Sequence, residues 1–294
     1  MRKIRPLIVL LGVICLGILF FSNPPRRSLD DIQKIPELVA HRAIFDSDTP
    51  PNSISALREV FNRNPGGEAE IDVRVTLDSR FVLLHDSDLR NETNGVGRVE
   101  ERAFSELAGF ARKDDHGNVT REPIASLEDV FMLLREYPRA RLQIDAKLKD
   151  EQGFAVLADF ISSHPQIQQR VTISSGQREM LCTLSRQFPK LMLGFDPGGA
   201  SLSGTYLLDV LRYLKACKIA GIYIDFHNLA QMGDSSAQRI VRQIQARGIF
   251  VAVWTVDDPE KALRVFAWGA DKMTTNRISE MFSYARFAGS YVNH

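Results

Sequence analysis

The chain has 294 residues, 44% of them hydrophobic and 25% charged, a length and balance that fit one large globular domain and exclude global disorder. The formal net charge is +1, but five basic residues and no acid fall in the first 27, leaving a body with 32 basic against 36 acidic residues. A mildly acidic body lacks the basic footprint of a nucleic-acid binder, so no nucleic-acid partner is expected.

In chain order, the first feature is Leu7–Phe21, "LIVLLGVICLGILFF", an uncharged run of 15 residues preceded by Arg2, Lys3 and Arg5. It is short for a spanning helix, which needs roughly 17–25 residues. No A-x-A cleavage site follows, however, so residues 1–27 read as an uncleaved membrane anchor in preference to a cleaved signal or a buried core helix. Basic residues flank both ends, which leans only weakly toward an inside N-terminus and an extracytoplasmic body, periplasmic in a Gram-negative bacterium. Residues 28–36 complete a polar, proline-rich linker, and 37–294 form the body.

In the body, short apolar runs alternate with helical patterns. Strands are expected at 37–42, 68–76, 140–147, 170–176, 191–196, 219–225, 249–256 and 270–275, each nearly continuous in apolar residues, as in sheets covered on both faces. "FVLLHD" (81–86) reads as a short strand returning along the second one. Between them, Ser126 and Asp129 form a capping box for a helix from Leu127. Asp258 and Pro259 open another helix, and Gly248 closes a third at 236–247. Eight strands alternating with helices predict a (β/α)8 TIM barrel preceded by the anchor helix. A doubly wound sheet is disfavoured because no G-x-G-x-x-G or P-loop follows any strand.

Barrel active sites gather at the C-terminal strand ends. Those ends carry His41-Arg42, Glu70-Asp72, Asp145-Lys147, Ser174-Ser175, Asp196, Asp225, Trp254-Thr255 and Thr274-Thr275. Glu70 and Asp72 lie two apart on one strand and therefore share a face. With Asp145 on a neighbouring strand, the three carboxylates would repel unless a cation joins them, and hard oxygen donors suit Mg²⁺ or Ca²⁺. Pairing with Arg74 or Lys147 is the competing explanation. Arg42 presents a fork suited to phosphate. His41 and His85 supply two groups able to exchange protons near neutral pH. A cation, an arginine and two imidazoles are the parts needed to cleave a phosphodiester.

The same residues carry a resemblance. "HRA…PPNS…EAEIDVRVTLDSRFVLLHDSDLRNETNGVGRV" resembles the glycerophosphodiester phosphodiesterase family, whose pattern reads HRG…PENT, then E-x-D-V-x-x-T-x-D-G, then V-x-x-H-D-x-x-L-x-R-T-T-x-G-x-G. "PIASLEDVFMLL" resembles its I-P-T-L-E-E-V segment, and "LQIDAK" its strand ending in E-x-K. "VAVWTVDDPEKALRVFAWGADKMTTN" resembles its closing V-W-T-V-N…G-V-D-G-I-I-T-D. The likeness spans about residues 37–280 and is unspecific between roughly 150 and 248. It implies a barrel hydrolase with one divalent cation, Mg²⁺ or Ca²⁺, held by Glu70, Asp72 and Asp145. His41 and His85 would be the acid–base pair, Arg42 and Lys147 would bind phosphate, and Trp254 would line the substrate mouth. The products would be sn-glycerol 3-phosphate and an alcohol.

Several positions depart from the pattern. Ala43 replaces a Gly, Pro51 a Glu, Asp145 a Glu and Asn276 an Asp, the last expected to matter mainly for structure. "RNETNG" (90–95) keeps an Arg, a Thr and a Gly but has Glu92 in place of one Thr. Two other readings stay open: a lysophospholipase D or sphingomyelinase-D-like lipase acting on a lysophospholipid, and an inactive barrel that binds phosphate esters. His116 and His227 read as solvated loop residues. The three cysteines exclude a disulfide scaffold and a zinc knuckle. They read as buried thiols, with a Cys182–Cys217 bridge open in an oxidising compartment.

Overall fold

The computed structural model describes residues 34–45 and 49–292. The anchor expected at 1–27 and most of the linker lie outside them. Among the described residues, no helix is long and apolar enough to cross a membrane.

The expected strands are all present: β1 (Glu37–Ala40), β2 (Glu68–Val75), β6 (Arg141–Ala146), β7 (Val171–Ser175), β8 (Met192–Phe195), β9 (Gly221–Asp225), β10 (Phe250–Trp254) and β11 (Lys272–Thr275). These eight run parallel in chain order, and β1 pairs with both β11 and β2, which closes the barrel. Among the described residues, three strands lie outside this ring. The returning strand β3 (Phe81–Leu83) pairs antiparallel with β2, and β4 (Ala111–Lys113) and β5 (Val119–Pro123) form a separate hairpin.

Strand β2 explains the layering. Ala69, Ile71 and Val73 point outward and are fully enclosed, with Leu57, Phe61, Val130 and Phe131 of the surrounding helices in the same core. Glu68, Glu70 and Asp72 point inward. Helix Leu127–Glu136 starts on the expected capping box, with Ser126 Oγ accepting from Asp129 N and Asp129 from Ser126 N. Helix Pro259–Trp268 starts on Asp258, whose carboxylate accepts from Glu260 N and Lys261 N.

The barrel floor is closed. A Cβ on Gly194 would sit 2.2 Å from the Tyr223 ring, and one on Gly221 would sit 2.0 Å from the Phe250 ring. Those glycines are the space the two aromatic rings occupy. Lys272 Nζ bonds Glu68 Oε2 at 2.5 Å inside the barrel, and Arg141 pairs with Glu37. A ligand therefore enters from the other end, where the strands finish.

The excursion from Leu84 to Ile124 has its own small core of Val82, Leu84, Leu89, Val99, Leu107 and Ile124. The cysteine expectation needs correction: Cys182 and Cys217 are not separate thiols but a disulfide with Cα atoms 4.8 Å apart. The bond joins helix Arg178–Gln187 to the end of helix Gly204–Ala216.

Candidate active site

Parallel strands β2 and β6 run in register, with Glu70 opposite Gln143 and Asp72 opposite Asp145. The pleat turns the inward carboxylates of Glu70, Asp72 and Asp145 toward one another, each offering an oxygen within 4.8 Å of the others. Burial pushes Glu70 well above its usual carboxylate range, and the charges of Asp72 and Asp145 push it further. Burial raises Asp145 too. Burial also acts upward on Asp72, but Lys147, His85, Arg42 and the Asn52 amide outweigh it and hold this group below its ordinary value. Three crowded acids, one of them pushed strongly toward its neutral form, match the donor set of a hard divalent cation.

Lys147 answers the competing explanation only in part. Its Nζ lies 2.6 Å from Asp145 Oδ2 and 3.2 Å from Asp72 Oδ1, while no lysine or arginine side chain pairs with Glu70 among the described residues. Arg74 is elsewhere: it bonds the His85 carbonyl and Glu100.

His41 and Arg42 begin a single turn after β1 in which Arg42 has φ +50° and Ala43 φ +57°. The left-handed backbone at Ala43 is what the family's Gly would accept without strain. The turn aims Arg42 N–H at Glu70 Oε2, 2.8 Å away, and brings Arg42 Nε to 3.5 Å from Asp72 Oδ2.

Behind His41 lies a chain of hydrogen bonds. Asn276 Nδ2 donates to Asp257 Oδ2 at 2.7 Å, and Asn276 Oδ1 lies 2.7 Å from His41 Nδ1. A carboxylate oxygen only accepts, so the Asn276 amide nitrogen must face Asp257. Its oxygen then requires a proton on His41 Nδ1, which leaves Nε2 with a free lone pair. That nitrogen faces the acids, 3.9 Å from Glu70 Oε2. Burial holds His41 below the ordinary imidazole value, so it is neutral at physiological pH and able to accept a proton.

Asn276, expected to matter mainly for structure, lies directly against the His41 ring. Counted along the pattern, Asp257 falls on the family's Asn and Asn276 on its Asp. The two identities are exchanged across one hydrogen-bonded pair. In this chain the amide of the pair stands against the imidazole.

His85 approaches from the turn after β3, with Nδ1 2.9 Å from Asp86 Oδ1. Trp254 ends β10 opposite Asp225, and its indole N–H is enclosed with no partner among the described residues. Asp196, at the end of β8, accepts from Gly198 N, and burial pushes its carboxyl up to about 7. Asp225 instead caps helix Phe226–Ala230, and His227 is exposed, as is His116. Ser174 is buried against Gln143 and takes no part in the mouth.

The sequence reading missed Asn52. Its side chain clasps Asp72 twice, Nδ2 donating to Oδ2 and Oδ1 accepting from the backbone N–H, both at 2.9 Å. Its own N–H donates to the Arg42 carbonyl at 2.7 Å. The signal is the "PPNS" segment itself, in which Asn52 follows Pro51. A second point needs correction: counted from Leu89, the pattern's arginine falls on Asn91, not Arg90. Arg90 is exposed and pairs with Asp88, whereas Asn91 Nδ2 bonds Asp86 Oδ2 at 2.8 Å.

With this geometry in place, comparison with known proteins is direct. The model of the Glycerophosphoryl diester phosphodiesterase family matches residues 41–280. A glycerophosphodiester phosphodiesterase of Bacillus altitudinis is 25% identical over 248 residues, spanning 82% of this chain and 94% of the relative. A crystal structure of a Parabacteroides distasonis glycerophosphodiester phosphodiesterase superposes with a TM-score of 0.71 at 20% identity, covering 87% of this chain and 99% of that one. An Oleispira antarctica phosphodiesterase, solved in complex with the product sn-glycerol-3-phosphate, superposes with a TM-score of 0.67 at 19% identity over 86% and 97% of the two chains. The chain belongs to the glycerophosphodiester phosphodiesterase family and is a phosphodiesterase.

Proposed function

We propose that this protein hydrolyses glycerophosphodiesters to sn-glycerol 3-phosphate and an alcohol, using one divalent cation and two histidines. The observation that carries the reading is the meeting of Glu70, Asp72 and Asp145 within 4.8 Å, with His41 Nε2 free beside them. A Mg²⁺ or Ca²⁺ ion held by these acids would offset charge on the phosphoryl oxygens.

The chain's own groups do the rest. Arg42 and Lys147 bind the phosphate at the mouth. His41 Nε2 removes the proton from the attacking hydroxyl, either a substrate glycerol hydroxyl or water. As the bond from phosphorus to the departing alcohol breaks, that oxygen takes a proton from His85. Where the glycerol hydroxyl attacks first, water opens the resulting ring with the two imidazoles exchanging roles. Trp254 packs against the substrate, its unpartnered indole N–H available to a substrate oxygen.

Anchoring by residues 1–27 with the barrel outside the cytoplasm belongs to the same proposal. It is supported by the apolar run at Leu7–Phe21 and by the Cys182–Cys217 disulfide, which persists in oxidising compartments. The test of function is a substrate panel with Mg²⁺, Ca²⁺ and EDTA in separate arms. Water-soluble glycerophosphodiesters should be cleaved, with EDTA abolishing turnover. Cleavage of lysophospholipids alone would move the protein to a lipase of the lysophospholipase D kind. Phosphate-ester binding with no turnover in any metal would leave only a binding barrel. His41→Ala and His85→Ala should each lower kcat by at least ~100-fold, the scale of one lost proton transfer.

A further inference from the structure

Glu92 stands where the family pattern has a threonine, and a buried arginine answers it. Arg112, on β4, is 1% exposed and donates from Nη2 to Glu92 Oε2 at 2.9 Å and from Nη1 to the Leu83 carbonyl at 2.7 Å. The other carboxylate oxygen, Glu92 Oε1, accepts from the backbone N–H of Asp86 at 2.6 Å. Asp86 in turn holds His85 Nδ1 through Oδ1. The opposite side of this turn is held by Arg74, which forks onto the His85 carbonyl.

We propose that Glu92 and Arg112 are positioning residues for His85: a buried ion pair that anchors the Asp86 amide and so fixes the imidazole's height and direction over the phosphate. This rests on the assignment of His85 to proton transfer made above. His85, Asp86 and Glu92 also lie close enough to suggest a second metal site. Their oxygens are committed instead: Asp86 to His85 and Asn91, Glu92 to the Asp86 amide and Arg112. The group is a brace.

The pair also links chemistry to the β4–β5 hairpin. Arg112 is that hairpin's contribution, and the Leu83 carbonyl it bonds ends β3, the strand that leads to His85. A shift of the hairpin would be transmitted to the imidazole through three hydrogen bonds, Arg112 to Glu92, the Asp86 amide to Glu92, and His85 with Asp86.

The test uses four variants of the full chain assayed on a glycerophosphodiester with saturating Mg²⁺ or Ca²⁺: Glu92→Thr, the double Glu92→Thr/Arg112→Met, His85→Ala, and Arg90→Ala as an exposed neighbour control. The double variant leaves no stray buried charge, so it remains a fair test if the single variant folds poorly. Expected is a fall in kcat of at least ~10-fold in both Glu92 variants with KM within about twofold, as for loss of an interaction made only in the transition state. Arg90→Ala should match wild type. In spectra of ¹³C-labelled histidine, the His85 signal, identified by its loss in His85→Ala, should move in both Glu92 variants while the other histidine signals stay. A folded double variant with kcat within twofold of wild type, or an unmoved His85 signal, overturns the brace. An active His85→Ala overturns instead the role of His85 on which it rests.

Discussion

The hydrogen bonding of His41 is set by residues behind it. Asp257 orients Asn276, and Asn276 requires the proton on Nδ1, so the free lone pair on Nε2, to which the proposed mechanism gives the proton transfer, is set two side chains away. Asn276→Asp would press two carboxylates together and should lower kcat at least ~10-fold. The double Asp257→Asn/Asn276→Asp restores one amide and one carboxylate, in the family's order, and should recover most of that loss; steady-state kinetics of the three proteins decide it. Asn52 plays the corresponding part for Asp72. Asn52→Ala should weaken metal activation by ~10–100-fold, the usual cost of removing a group that holds a ligand, read from activity against metal concentration. Asp196 gives a stability prediction. Its carboxyl is raised to about 7 by burial, so the folded protein holds this proton more tightly than the unfolded chain. Stability is therefore lost as pH rises from about 4 through 7, by up to ~4 kcal/mol. Asp196→Asn should flatten the fall in melting temperature over that range in the metal-free protein.

At the scale of elements, β2 shows how much of the site was legible in advance. Its alternation of Glu68, Glu70 and Asp72 with Ala69, Ile71 and Val73 is a period-two pattern, and period two assigns faces without any tertiary information. The capping boxes and proline starts were legible for the same reason: they are local. The hairpin contribution was not. Arg112 and Glu92 are 20 residues apart on elements whose packing no periodicity encodes. The disulfide is another element-scale event. Cys182 and Cys217 are separated by 35 residues, and only the docking of helix Arg178–Gln187 on helix Gly204–Ala216 brings them together. Closing a loop of that size stabilises by about 2–4 kcal/mol, so Cys182→Ser/Cys217→Ser, or reductant, should lower the denaturation midpoint accordingly. An unchanged midpoint would mean the bond is absent in the folded protein.

For the whole molecule, closure of the barrel concentrates acids at one end and seals the other. Glu68–Lys272 and Glu37–Arg141 neutralise the floor, whereas no lysine or arginine side chain pairs with Glu70 at the rim among the described residues; it meets the Arg42 N–H and, at 3.9 Å, His41 Nε2. The rim therefore brings together more carboxyl groups than basic partners, a crowding that a bound cation would relieve. Adding Mg²⁺ or Ca²⁺ to the metal-free protein should raise its melting temperature in a concentration-dependent way, because a ligand that binds only the folded state stabilises it by mass action. Glu70→Gln should reduce both that shift and the activity.

The sequence by itself determined the eight-strand alternation, the inward face of β2, the helix starts and the residue types at the strand ends, because each follows from spacing along one chain segment. Only the tertiary structure decided which acid pairs with Lys147, which atom of Asn276 meets His41, that Asn52 clasps Asp72, and that Arg112 reaches Glu92. Those contacts join segments that are distant in sequence, and their distances and directions are set by barrel closure, register and the packing of an insertion, none of which leaves a local signature.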